Sequence, residues 1–356
     1  MYVTPCGVTF RLVRGVLGGM SEHSTPSKVV VIGGGYAGTL AVNRLRMRAD
    51  LDITLVNPRP ASADRIRSHQ FVAGTGDATA EYGTLPGEGV RLVVDSAMRI
   101  DTAARTLELG SGRALDYDNV VYAVGSTGAT PSVPGTAEFA FSVAELEFAR
   151  RLPARLDELP LDAPVTVVGG GLTGIETAAE LDEQGRRVTL VCGTTLAPTF
   201  GAPGRRSIAR WLSWHGVAVL EADGVTEVRP VAVVLATGVV RSSALTSWAA
   251  GFGVPDLARV SGLRTDELGR LLTEETSTNA DDHRIVAAGD AVAPSGRPLR
   301  MSCYAAGPPG AQPANTVLSR IAGIEPTAIN LAFSGACASL GRRTSVRQLA
   351  ARTTPR

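Results

Sequence analysis

One glycine-rich turn occurs twice in this chain, as "VVVIGGGYAG" at 29–38 and "VTVVGGGLTG" at 165–174. Val29 to Ile32 is a β-branched run, the pattern of a strand buried on both faces of a parallel sheet. Gly33, Gly35 and Gly38 follow in GxGxxG spacing, and "TLAVNRLRMRA" reads as a helix with Leu40, Ala41, Leu45 and Met47 on its buried side. In that order the first glycine makes a tight turn, the second lets a pyrophosphate approach the backbone, and the third lets helix and strand pack closely. The helix N-terminus then points free N–H groups at the phosphates. Two copies predict two dinucleotides held against each other.

Each copy departs from the usual pattern at one place. A carboxylate that binds the ribose normally ends the strand about 20 residues on. The first copy has Asn57 there and the second has Cys192. Asparagine can bond a ribose hydroxyl without charge. The missing acid in the second copy leaves both NADH and NADPH open. Arg186 and Arg187 just before that strand are either a 2′-phosphate site or an ordinary solvated pair.

The duplication extends further. "TLELGSGRALDYDNVVYAVGS" (106–126) reads as a β-hairpin with a GSG turn and then a strand ending in Gly125. "VVLATGVVRSSALTSWAAGF" (233–252) has the same plan and ends in Gly251. This alignment puts Thr237-Gly238 in a hairpin turn and makes "SWAAG" the counterpart of "VYAVG". "TNADDHRIVAAGDAV" then supplies a strand ending in Gly289-Asp290, whose carboxylate either accepts ribityl hydroxyls or caps the next segment. Pro308 and Pro309 suit a helix start, with a regular helix expected from Pro313 to Ser319. Its positive end faces a flavin carbonyl on one reading and solvent on the other.

The predicted fold is α/β: two Rossmann-like dinucleotide-binding domains, each with a β-hairpin insertion, plus a short C-terminal region. The expected boundaries are a tail at 1–26, a first domain at 27–130 and 253–318, a second at 131–252, and the C-terminal region at 319–356. The chain of 356 residues is 44% hydrophobic and 19% charged, which suits a large core. A formal net charge of +1 argues against a general nucleic-acid binder. Cys6, Cys192, Cys303 and Cys337 form no CxxC pair, so neither a metal site nor a redox dithiol is expected, and reduced thiols point to the cytoplasm. No apolar run reaches the roughly 20 residues that cross a bilayer. Arg11 and Arg14 interrupt the apolar N-terminus, and Met20 is an alternative start.

GGGYAG, then GGGLTGIE, then AAGD resembles the pyridine nucleotide-disulfide oxidoreductase superfamily across residues 28–323. "NPRPASADRIRSHQ" (57–70), the AQxA of Ala311–Ala314 and "CASLGRR" (337–343) place the likeness in its non-disulfide branch. That branch comprises type II NADH dehydrogenases and quinone reductases like apoptosis-inducing factor or the ferroptosis suppressor. The resemblance implies FAD on Gly33, Gly34, Gly35, Ala37, Gly38, Asn57, Arg59, Gly125, Gly289 and Asp290. It implies NAD(P)H on Gly169, Gly171, Gly174, Glu176 and Gly251, with Gln312 by the flavin and a quinone pocket. Glu176 and Gln312 are the candidate catalytic residues. Glu176 either orients the nicotinamide and relays a proton or complements its helix dipole, and His69 either lies near the flavin or caps a helix. The expected reaction carries a hydride from NAD(P)H to FAD and electrons on to a quinone. Two other readings stay open: a reductase of ferredoxin, rubredoxin or a small molecule, and a slow redox sensor or shortened remnant. The expected setting is cytoplasmic, with peripheral contact at the inner face of the membrane and a homodimer left open.

Overall fold

Val29 and Val31 are fully buried on one side of the first strand, and Val30 and Ile32 are nearly so on the other. In the computed structural model they belong to β1 (Ser27–Ile32), which the first glycine turn joins to α1 (Tyr36–Leu45). The structure describes residues 26–82, 87–128, 132–296, 301–302, 306–329 and 335–349. The expected tail lies outside them except for Pro26, and Cys6 and Cys303 lie outside them altogether. Helix α1 buries Ala41 and Leu45 but ends at Leu45, so Met47 lies past its end and is exposed.

After α1 come β2 (Leu51–Asn57), the short α2 (Ser68–Val72), β3 (Val90–Val94) and β4 (Asn119–Tyr122). The chain then enters a second set: β5 (Ala140–Ser142), β6 (Pro164–Val168), α3 (Leu172–Glu183), β7 (Arg187–Val191), α4 (Ala202–Trp214), β8 (Ala218–Leu220) and β9 (Leu245–Trp248). It returns as β10 (Ile285–Ala287) and α5 (Gln312–Ile321), and β11 (Gly335–Leu340) and β12 (Thr344–Leu349) follow.

The first sheet has the order β10-β4-β1-β2-β3 and the second β5-β9-β6-β7-β8. All pairings in both are parallel. The repeat holds bond for bond. Gly33 N–H donates to Val56 and Gly169 N–H to Val191, each at 2.8 Å. Ala123 N–H donates to Ile32 at 2.9 Å and Ala249 N–H to Val168 at 2.8 Å. Asn57 and Cys192 are therefore true counterparts, as are "VYAVG" and "SWAAG". Two short strands, Thr127–Gly128 and Phe252–Gly253, pair antiparallel where the chain passes between the sheets.

Each expected hairpin is present, and a third strand joins it. Ala97–Asp101 adds to Thr106–Leu109 and Ala114–Asp116, and Val225–Arg229 adds to Ala232–Leu235 and Val240–Ser242. Gly238 sits in the second hairpin's turn, at a φ of +83°. Sheet one is covered on one face by α1 and α5 and on the other by Leu257, Leu263 and Leu271. Sheet two packs Val165, Val167 and Leu190 against Ile175 and Leu181 of α3 and Ile208 and Leu212 of α4. Ala336, Ala338 and Leu340 of the C-terminal hairpin β11–β12 complete that cluster. No helix among the described residues is long and apolar enough to cross a membrane.

Candidate dinucleotide and active site

Both glycine turns open into one cavity of about 670 Å³. Its walls come from the C-terminal ends of both parallel sheets, where open α/β sheets bind ligands. The glycines divide into two kinds. Gly33 and Gly38 are required by the protein itself. A Cβ on Gly33 would lie 2.4 Å from the Ala123 carbonyl oxygen, and one on Gly38 would lie 1.8 Å from that of Gly33. Gly169 and Gly174 repeat this, with closest approaches of 2.8 and 1.9 Å, and neither lines the cavity.

The middle glycines differ. Gly35 and Gly171 have extended backbones that any residue adopts, with φ of −75° and −79°. A Cβ on either would meet nothing within 4 Å, and both line the cavity at the first turn of a helix. Nothing in the protein requires glycine at these two positions. What the absent side chain leaves is room for a phosphate to reach the N–H groups of α1 and α3. The residues present therefore fit one dinucleotide per turn.

On the first side, Gly33, Gly34, Gly35, Ala37, Asn57, Arg59, Gly125, Gly289 and Asp290 all line the cavity. Asn57 has a different task from the one expected. Its Oδ1 accepts from Gly34 N–H at 3.0 Å, and its Nδ2 donates to the Arg59 carbonyl at 2.8 Å. The side chain thus braces the turn, which a carboxylate lacking a donor could not do in the same way. The Gly34 carbonyl accepts from Tyr82 at 2.7 Å and Ser62 at 2.9 Å. Burial pushes the Tyr82 hydroxyl up to about 12, so it stays a donor. Arg59 is paired bidentately with Glu147 at 2.6 and 2.8 Å, which holds that carboxyl below its usual range. Asp290 Oδ2 accepts from Ser126 at 2.7 Å and Oδ1 from Ser302 N–H at 2.9 Å, while burial raises its pKa. Arg65 reaches Ser126 Oγ at 3.0 Å and the Ala144 carbonyl at 3.1 Å, linking that carboxylate to the far wall.

On the second side Gly171, Leu172, Thr173, Glu176 and Trp248 to Phe252, with Gly251 among them, form the wall. Glu176 Oε1 accepts from Ser339 N–H at 3.0 Å. Oε2 lies 3.6 Å from His69 Nδ1 on α2. Burial, helped by the nearby charge of Glu180 and opposed by the Ser339 bond, raises Glu176 to about 7. Burial lowers His69 to about 4, so its imidazole is neutral at pH 7. The structure thus brings His69 and Glu176 together from the units of the two different glycine turns. Cys337 of β11 joins the same wall.

One expectation is corrected and one open choice is closed. Gln312 does not line the cavity: its Nε2 donates to the Thr327 carbonyl at 2.6 Å. The turn before α5 packs on α1 so closely that a Cβ on Gly310 would lie 2.9 Å from Ala37 Cα. Close packing of these helices holds Gln312 away. Arg186 and Arg187 lie at the start of β7, the end remote from the glycine turn. Arg186 is buried there, donating to the carbonyls of Leu156, Leu159 and Pro160. Neither can meet a 2′-phosphate.

Sequence reasoning missed Tyr82 and Glu147, which act through long-range bonds with no spacing signature. Ser62 and Arg65 lie within the quoted 57–70 segment and Ser126 within 106–126, but none was singled out.

The model of the family described as pyridine nucleotide-disulphide oxidoreductase matches residues 27–310. An NADH dehydrogenase-like protein of Mycobacterium tuberculosis is 32% identical over 294 residues, covering 75% of this chain and 73% of that protein. A type II NADH:quinone oxidoreductase of Staphylococcus haemolyticus is 31% identical over 177 residues, covering 44% of this chain and 43% of its own length. Among solved structures, NDH2 from Plasmodium falciparum has the same fold, with a TM-score of 0.81 at 15% identity, covering 91% of this chain and 90% of that one. Other reductases of similar fold are longer, and the chain spans 60% and 62% of two of them.

Proposed function

The chain belongs to the pyridine nucleotide-disulphide oxidoreductase family, and from that premise we propose that it is an FAD-dependent NAD(P)H oxidoreductase that passes electrons to a quinone-like acceptor. One observation carries this reading: two glycine turns from two sheets open into a single cavity. Bound there, nicotinamide would supply a hydride and flavin would accept it and hand the electrons on.

The chain's own contribution is placement and proton handling. The open sides of Gly35 and Gly171 admit phosphates to two helix N-termini. Asn57 and Tyr82 hold the first turn in shape before a ligand arrives, which lowers the ordering cost of binding. Asp290, pinned by Ser126 and Ser302, is placed to accept ribityl hydroxyls. Trp248 and Cys337 of the C-terminal hairpin line the second side, where they would limit water around a bound nicotinamide. A carboxyl at about 7 holds a proton at Glu176 for part of the population at neutral pH, so it can deliver one to a reduced acceptor. Cys192 is pushed up to about 12, chiefly by burial, and is a poor nucleophile. With no paired cysteine motif in the sequence, a dithiol relay is not part of the proposal.

The quinone is favoured because relatives that match this chain include proteins named type II NADH:quinone oxidoreductase. Such an acceptor would bring the chain to a membrane surface as a peripheral protein.

The visible spectrum of the purified protein tests the reading, followed by anaerobic titration with NADH and NADPH. A flavin spectrum that bleaches on mixing is expected, with quinones restoring it. A protein that binds no FAD on reconstitution overturns the proposal.

A further inference from the structure

We propose that Glu221, just past β8, selects NADH over NADPH by standing beside the place where a ribose-binding carboxylate would end β7. This rests on the second glycine turn holding NAD(P)H.

Position 192 follows Val191, as Asn57 follows Val56, and it is a cysteine. Its thiol is uncharged, so it can neither bind a ribose hydroxyl strongly nor repel a phosphate. It does mark the spot: a Cβ on Gly170 would lie 2.8 Å from Cys192 Cβ. In the first sheet the register pairs Asn57 with Val94. In the second, Val191 pairs with Leu220, and Cys192 N–H donates to the Leu220 carbonyl at 2.8 Å. One step further along the same parallel ladder places Glu221 beside Cys192, in the position that Val94 holds in the first sheet. In-register residues of adjacent parallel strands project to the same face, about 4.8 Å apart. The carboxylate is thus displaced by one strand rather than lost.

Its orientation is fixed. Glu221 Oε1 accepts from Leu196 N–H at 2.6 Å and from Thr195 Oγ1 at 3.0 Å. That loop folds back over the glycine turn, with Ala197 N–H donating to the Gly170 carbonyl at 2.8 Å. Arg205 approaches the same hydroxyl: its Nη1 donates to Thr195 Oγ1 at 3.2 Å and its Nη2 to the Phe200 carbonyl at 3.4 Å, while its Nε is buried without a hydrogen-bond partner. Arg186 and Arg187 are at the other end of β7. A 2′-phosphate with about two negative charges would meet the Glu221 carboxylate beside Cys192, whereas a 2′-hydroxyl can donate to it.

Calorimetric titration of the flavin-loaded full chain with ADP-ribose and with its 2′-phosphorylated form measures this without turnover. The wild type is expected to bind ADP-ribose at least about tenfold more tightly. Glu221→Gln should bring the two affinities to within about threefold, and Glu221→Arg should invert them. Glu221 is exposed, so the variants should fold, and their melting curves check this. Equal wild-type affinities, or a ratio unchanged in both variants, would overturn the role of Glu221 while leaving the second nucleotide site standing. Failure of both ligands to bind the wild type would overturn the site itself, and the proposal with it.

Discussion

Gly35 and Gly38 sit three residues apart in one motif, yet the structure assigns them opposite sensitivities. Gly35→Ala and Gly171→Ala add a methyl group to open space on an ordinary backbone. They should leave the melting temperature of the ligand-free chain within about a degree or two, or raise it slightly by restricting the unfolded chain. They should still weaken FAD and NAD(P)H binding respectively. Gly38→Ala and Gly174→Ala press a methyl group to within 1.8 and 1.9 Å of a carbonyl oxygen. They should destabilise by about 3 kcal/mol or more, seen in denaturant melts with no ligand present. Glu176 gives a pH signature. Its pKa rises from 4.5 unfolded to about 7 folded, so the native chain binds the extra proton between these values. Its contribution to stability is therefore full below pH 4.5 and is lost as pH rises toward 7. The rate of acceptor reduction, where it uses the protonated carboxyl, should fall across the upper part of that window. Glu176→Gln should flatten both curves; a melting profile with the same slope in the variant would refute the assignment. The glycine spacing was legible in the sequence because backbone packing demands glycine at its first and third positions and its second is open. The partner of Glu176 was not, because His69 reaches it from 107 positions away in sequence, through helix packing.

Helix α3 shows how an element can carry two faces of meaning. Its buried side, with Ile175, Ala178 and Leu181, follows the helical period and was readable. Its acidic side meets the C-terminal hairpin one turn at a time. Glu176 accepts from Ser339 N–H, Glu180 lies 3.7 Å from Arg342 Nε, and Glu183 accepts from Arg342 N–H at 2.9 Å. The hairpin itself escaped sequence reading. Two of its three inward residues on β11, Ala336 and Ala338, are too small to give a strong alternating signal beside Leu340, so "CASLGRR" appeared only as a family mark. Glu180 is 1% exposed, and Arg342 is the cation that approaches it. Arg342 is itself half exposed, which screens the pair. Arg342→Ala should therefore cost about 1–2 kcal/mol, below the figure for a fully buried pair. Arg342→Lys should recover part of this, and a midpoint unchanged in the alanine variant would show that the hairpin is held by its apolar face alone.

At the scale of the whole molecule, the duplicated turns revealed two parallel sheets and the order of the chain through them. They did not reveal which residues close the space between. Gln312 was carried in by resemblance and is turned away by the packing of α5 on α1, while Tyr82, Arg65 and Glu147 enter by contacts that no local pattern encodes. The cavity they enclose joins both sheets, and the polar groups on its first side are hydrogen-bonded to one another. A ligand that fills it should therefore stabilise the native chain by mass action rather than by refolding it. Flavin-free protein given FAD at about 100 times its dissociation constant should gain about 2.7 kcal/mol, with a melting temperature that keeps rising with FAD concentration. If FAD in the shared cavity couples the two sheets, the whole transition should move together rather than splitting into an early and a late step. A melting temperature independent of FAD would mean the cavity does not hold it. A split transition with only the first step shifted would mean that the second sheet folds without regard to what the first has bound.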